Sequence, residues 1–464
     1  MPQDIVPGLL SCATELLEQQ FAALPAAGSA FESAADPGAM ARILEGVARR
    51  LGDNYPYFHP LYAGQMLKPP HPVARAAYAL AMTINPNNHA RDGGRASSEM
   101  EIEAVGGIAG IFGWSEFLGH LTSSGTLANL EALWVAGQLA PGKRILGSEQ
   151  AHYTHQRISA VLKLDYAPIA ADHCGRMSMD ALETELRKGD VGTVVVTLGS
   201  TAIGAVDPLD EVLALRERYG FRVHVDGAYG GYFRLISEAL AEPARRAFAA
   251  ISQADSIVID PHKHGLQPYG CGCILFRDPS VGRFYKHDSP YTYFTSKQLH
   301  LGEISLECSR AGAAAVALWA TQQLLPLVPG GEFARGLAHG RTAALNLDRK
   351  LREDRTGRFQ PLAAGAPQLD IVVWKLKAET SEQSSELAQK VFDACAARDL
   401  HLALVQLPLK WFEPATGLEP ESLAAKGAGL VTCLRSVLMK PEHEAWLDRI
   451  WERLTASCDE VMGK

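Results

Sequence analysis

The pattern of apolar and polar positions changes twice along the 464-residue chain. Residues 1 to about 85 read as helical segments broken by Pro and Gly. Asn54-Tyr-Pro-Tyr-Phe-His-Pro60 is an irregular aromatic stretch, and Lys68-Pro-Pro-His-Pro72 and Asn85-Pro-Asn-Asn-His89 are breakers. From about 96 to 325, short apolar runs alternate with helically spaced stretches. The runs at 144–148, 194–197, 222–225, 256–259 and 272–276 predict strands, and Glu99 to Phe112, Leu127 to Ala136 and Leu209 to Arg218 predict helices. Strands without polar alternation, separated by helices, predict a mostly parallel sheet covered by helices. Helix Ser309 to Leu325 then stops at Pro326. Helices over 333–352 and 382–398, strands over 370–375 and 431–435, and a helix after Pro441 predict a smaller α+β unit. The expected organisation is an N-terminal helical segment (1–85), a large α/β domain (86–330) and a small C-terminal domain (331–464).

Composition narrows the classes. With 47% hydrophobic and 21% charged residues and a net charge of −8, the chain is an ordinary globular protein. It has no basic stretch suited to nucleic acid or a membrane surface. No apolar run reaches transmembrane length, and Met1-Pro-Gln-Asp-Ile-Val lacks the look of a secretory signal, so a cytoplasmic location is expected. Eight scattered cysteines do not make a disulfide scaffold. Cys271 and Cys273 alternate in a strand and read as small buried residues, so no metal site is expected.

Two charged residues end buried-type strands. Asp226 lies in Arg222-Val-His-Val-Asp-Gly-Ala-Tyr-Gly-Gly231, and Lys263 in Asp255-Ser-Ile-Val-Ile-Asp-Pro-His-Lys-His264. Parallel sheets bind ligands at such strand ends. An acid and a lysine delivered there suit pyridoxal phosphate, which needs a lysine for a Schiff base and a carboxylate for its pyridinium nitrogen. Taken singly, Asp226 reads as a helix cap and Lys263 as a solvated loop lysine. Leu121-Thr-Ser-Ser-Gly-Thr-Leu-Ala-Asn129 opens an apolar helix, and backbone N–H groups there with the hydroxyls of Ser124 and Thr126 suit a phosphate dianion.

Together, Ser123-Ser-Gly-Thr-Leu-Ala-Asn129, His224-Val-Asp-Gly-Ala-Tyr229 and Asp260-Pro-His-Lys263 resemble the pyridoxal-phosphate-dependent group II amino acid decarboxylases, the family of glutamate, aromatic amino acid and diaminobutyrate decarboxylases. The resemblance runs from about 50 to 450. It implies a fold-type I architecture with a seven-stranded sheet, and decarboxylation of an L-amino acid to its amine. It also implies a homodimer with active sites at its interface. Lys263 matches the Schiff-base lysine, and Asp226 the partner of the ring nitrogen. His152 matches the histidine stacked on the ring, and Ala228 the small residue on the other face. Gly125, Thr126 and His262 match phosphate contacts, and Thr197 and Ser200 a strand-end turn near the cofactor. Arg435 resembles the arginine that pairs with the substrate carboxylate, and Gln65 a substrate-contacting glutamine. Tyr291, with Tyr293 close by, resembles the loop tyrosine that protonates Cα. His264 departs from the aromatic usual after the lysine, and Leu306-Glu-Cys-Ser-Arg-Ala-Gly312 also resembles archaeal-type tyrosine decarboxylases and the sphingosine-phosphate lyase branch. Oxidative aldehyde formation, another carbon–carbon lysis and a non-enzymatic cofactor carrier therefore remain as alternatives.

Overall fold

The computed structural model describes residues 5–25, 36–286, 304–413 and 429–463. A seven-stranded sheet forms its centre. The strands are β1 (Leu118–Thr122), β2 (Arg144–Ser148), β3 (Tyr166–Ile169), β4 (Val191–Thr197), β5 (Arg222–Asp226), β6 (Ser256–Ile259) and β7 (Gly272–Phe276), in the order β1-β7-β6-β5-β4-β2-β3. Only β7 runs against its neighbours, so six strands point their carboxyl ends the same way. The central strands β6 and β7 are buried throughout, which explains their unbroken apolar sequences.

Helices cover both faces. They include α4 (Arg95–Ile111), α5 (Gly125–Leu139), α6 (Thr154–Val161), α7 (Met179–Leu186), α8 (Leu209–Tyr219), α9 (Ala244–Ala249) and α10 (Gly312–Leu324). Helix α5 is apolar nearly all round because it packs directly on the sheet, and even Glu131 within it is buried, 2.9 Å from His120 Nε2. Helix α8 stops at Gly220, whose φ of 71° is the left-handed conformation that glycine adopts without strain.

The C-terminal unit is a four-stranded antiparallel sheet ordered β10-β11-β9-β8, built from β8 (Phe359–Pro361), β9 (Ile371–Leu376), β10 (Ala403–Pro408) and β11 (Leu430–Val437). Helices α11 (Glu332–Glu353), α12 (Ser381–Ala396) and α13 (His443–Met462) pack with it. The N-terminal stretch carries α1 (Val6–Gln20), α2 (Pro37–Leu51) and α3 (Pro72–Ile84), and its later part joins both units. Helix α3 packs on α10, whereas Tyr62 bridges to His401 and Leu61 and Ala63 enter the core of the C-terminal sheet. No helix among the described residues is long and apolar enough to cross a membrane.

Candidate active site

A cavity of about 190 Å³ opens where the parallel strands end. Each wall follows from a strand: β1 leads into Ser124, Gly125 and Thr126, β2 into His152, β4 ends at Thr197, β5 at Asp226, and β6 leads into Asp260, His262 and Lys263. Every one of these residues lines the cavity, together with Ala228.

Asp226 is 4% exposed. Its Oδ2 accepts from His155 Nε2 at 2.7 Å and from Asn129 Nδ2 at 3.5 Å, and its Oδ1 accepts the Ala228 N–H at 3.0 Å. Burial alone would push this carboxyl up. The His155 hydrogen bond and charge, with the Lys263 ammonium and the Ala228 N–H, outweigh burial and hold it well below the usual carboxylate range. Behind it, His224 bonds Asn129 Oδ1 at 2.8 Å and Ser256 Oγ at 2.8 Å, and burial lowers its pKa to about 3. A neutral His224 donates to Asn129 Oδ1, which turns the Asn129 amide N–H₂ toward Asp226.

Lys263 is the partly exposed cation of the site, and its Nζ lies 3.0 Å from Asp260 Oδ2. The His262 ring is anchored by Nδ1 on the Cys271 carbonyl at 2.7 Å, leaving Nε2 facing Asp260 at 3.6 Å. His152 is held by Thr154 Oγ1 at 2.8 Å, and burial lowers its pKa, which favours the neutral ring. Ser124 caps α5 by accepting the Leu127 N–H at 3.3 Å, which leaves the first-turn N–H groups of α5 facing the cavity.

These residues fit pyridoxal phosphate. Asp226 offers an ionised acceptor for a protonated ring nitrogen, and Lys263 an amine. Buried Thr197 Oγ1 and Asp260 Oδ1 have no hydrogen-bond partner, so the cavity retains polar atoms that a ligand can satisfy. A Cβ at position 125 would come within 2.5 Å of the Asp260 carboxylate, so only glycine lets the helix start approach this closely.

Other expected residues are placed differently. Ser200 does not line the cavity: its hydroxyl accepts the Ala205 N–H at 3.1 Å, which closes its own turn and leaves Gly199 and Thr201 facing inward. Arg435 is 5% exposed, so it is no surface ion pair. Its Nη2 donates to the Thr201 carbonyl at 2.7 Å and its Nη1 reaches the exposed Gln65 Oε1 at 3.4 Å. Among the described residues it has no carboxylate partner, and its Nε is unsatisfied. Tyr291 and Tyr293 lie outside the described residues. The sequence reading missed His155, Asn129 and Asp260. Asp260 stood inside a quoted motif, whereas His155 carried no signal beyond lying three residues after His152.

Known proteins resemble this chain in sequence and in fold. Residues 134–325 match the pyridoxal-dependent decarboxylase conserved domain. The chain is 27% identical to an L-tyrosine decarboxylase of Enterococcus faecium, over 92% of this chain and 88% of that one. It is 28% identical to a probable L-tyrosine/L-aspartate decarboxylase of Methanothermobacter thermautotrophicus, over 67% and 82% of the two chains. The crystal structure of mouse CSAD superposes with a TM-score of 0.76 at 20% identity, over 96% of this chain and 91% of that one. The chain is similar to the pyridoxal-phosphate-dependent group II decarboxylases through this domain and these relatives. It is a carboxy-lyase that decarboxylates an amino acid with pyridoxal phosphate as cofactor.

Proposed function

We propose that the enzyme converts an aromatic or acidic L-amino acid to its amine, with the cofactor attached through Lys263. The substrate class is taken from the relatives, which are named for tyrosine and aspartate. The observation that carries the assignment of roles is the Asp226–Lys263 arrangement: a buried carboxylate fixed in its charged state, in the same cavity as a lysine amine. When bound, the cofactor supplies an electron sink for the pair left on Cα. Asp226 would keep the ring nitrogen protonated, because its carboxyl is held in the ionised state. Ser124, Gly125, Thr126 and His262 would hold the phosphate, the first three at a helix start that favours anions. His152 and Ala228 would pack against the ring, and Thr197 would offer its free hydroxyl. Arg435 orients the substrate carboxylate, and its buried guanidinium without an anion is suited to a bidentate partner. The carboxylate leaves as carbon dioxide, its bonding pair stays on Cα, and Tyr291 returns a proton there.

A homodimer and a cytoplasmic location belong to this proposal. Helix α2 buries none of its side chains within the chain, and Met40, Ile43, Leu44, Val47 and Leu51 stand exposed on it. An exposed apolar stripe on an amphipathic helix of this kind is a docking face, and a second copy is the proposed occupant. Sedimentation velocity should show a dimer, and a monomer at micromolar concentration would remove that part. None of the eight cysteines forms a disulfide, which suits a reducing compartment.

The decisive experiment is product analysis by mass spectrometry after the cofactor-loaded enzyme meets a pool of amino acids. An amine with carbon dioxide is expected, and an aldehyde with hydrogen peroxide would overturn the reading. Lys263→Ala should abolish both turnover and the visible absorbance of the lysine-bound cofactor.

A further inference from the structure

A second cavity, of about 520 Å³, lies at the seam of the large and small units, lined among others by Lys68, His71, His264, Phe333, Lys440 and Glu442. It shares no lining residue with the cofactor cavity. The two are nevertheless adjacent along the backbone, since Lys263 lines one and His264 the other.

Its cations are poorly matched. Lys440 is 2% exposed, and its Nζ donates only to the Tyr62 carbonyl at 2.6 Å, over the Tyr62 ring. Lys68 Nζ reaches only the Met439 carbonyl at 3.5 Å. Among the described residues neither ammonium forms an ion pair. His264 is 1% exposed, and neither ring nitrogen has a hydrogen bond. Its Nε2 stands 3.4 Å from Asp370 without hydrogen-bond geometry. Nearby acids do not complete the balance. Asp370 is engaged by the Tyr229 hydroxyl at 2.5 Å, and Glu442 and Glu332 are exposed at the rim. A buried and a half-buried ammonium group with only carbonyl partners are costly, and the usual relief is a counter-ion. Burial accordingly lowers Lys68 to about 8 and Lys440 to about 7, with Lys68 also lowering Lys440.

We propose that this cavity binds a small free oxyanion of the phosphate type, held by Lys68, Lys440 and His264. Two ammonium groups and an imidazole N–H are donors only, and they converge from three separate segments of the chain. Several acceptor oxygens can engage such a set, whereas a halide offers one centre. Bound there, the anion ties the N-terminal stretch, the segment after Lys263 and the segment after β11 to one another.

Equilibrium dialysis of radiolabelled inorganic phosphate against the cofactor-loaded enzyme tests this, because the cofactor already fills the other phosphate position. One saturable site per chain is expected at pH 7 and constant ionic strength. Lys440→Met and Lys68→Met should each weaken it at least tenfold, with the visible absorbance of the bound cofactor unchanged. Lys68 is less buried than Lys440, so Lys68→Met serves if Lys440→Met does not fold. Absence of saturable binding, parental affinity in the folded variants, or equal competition by chloride at the same concentration would overturn the proposal.

Discussion

Asp226 and Asp370 are both buried carboxylates, 4% and 1% exposed, yet they are driven in opposite directions. At Asp226 the donors gathered around both oxygens defeat burial. At Asp370 burial dominates, and the carboxyl is pushed up to about 6 although the Tyr229 hydroxyl and Lys68 oppose it. Depth therefore does not decide the charge of a buried acid; the number and charge of its donors do. The floor of the cofactor cavity is built to keep one charge state before any ligand arrives. The seam is built of groups whose charges are left unresolved.

The contrast can be broken most strongly at Asp226. Asp226→Asn keeps the shape and removes the charge. Breaking a buried charged pair costs about 3–5 kcal/mol, so kcat/KM should fall roughly 10²–10⁴-fold. Steady-state kinetics with the substrate identified by product analysis would check this, and a loss below tenfold would mean that the charge is not needed. A smaller effect is expected behind it. His155→Phe removes a charge-assisted hydrogen bond worth about 1.5–3 kcal/mol, so activity at pH 7 should fall about tenfold or more. Asp226 then titrates higher, and the acid limb of the pH profile of kcat/KM should move upward. A uniform loss at every pH would indicate a packing role instead.

The smallest effect belongs to the seam. Lys440 titrates at about 7 in the folded chain and near 10.5 when unfolded, so the unfolded state binds more protons between those values. The penalty is fully present below pH 7 and is relieved as pH rises. Stability of the parent should therefore gain on that of Lys440→Met between pH 7 and 8.5, by at most about 1.4 kcal/mol per pH unit. Denaturant unfolding in phosphate-free buffer would show it, and parallel curves for the two proteins would mean that Lys440 stays charged.

Strands with continuous apolar sequence were legible, and so was the chemistry at their ends. Strand β1 was not, because Leu-Gly-His-Leu-Thr reads as mixed; its buried histidine, His120, is satisfied by Glu131 on the following helix. Strand β3 is four residues long at the sheet edge and contains Pro168, which an edge tolerates and a pattern reading rejects. The motif residues around Lys263 and Asp226 could be read because each follows its own strand. His155 could not, because its role depends on which way α6 turns. Lys68 looked like part of a proline-rich breaker, and its meeting with Lys440 is decided only by the packing of distant segments.

The pairing of residues 61–63 with His401 and Val437 has a consequence for the order of events during synthesis. Ala63 donates to the His401 carbonyl at 2.9 Å, His401 to that of Leu61 at 2.9 Å, and Val437 to that of Ala63 at 2.7 Å. A ribosome makes the first partner more than 300 residues before the other two. Leu61 and Ala63 thus emerge long before the segments that cover them. Chains stalled short of residue 401 should remain open to protease around 55–64, whatever the state of the large sheet.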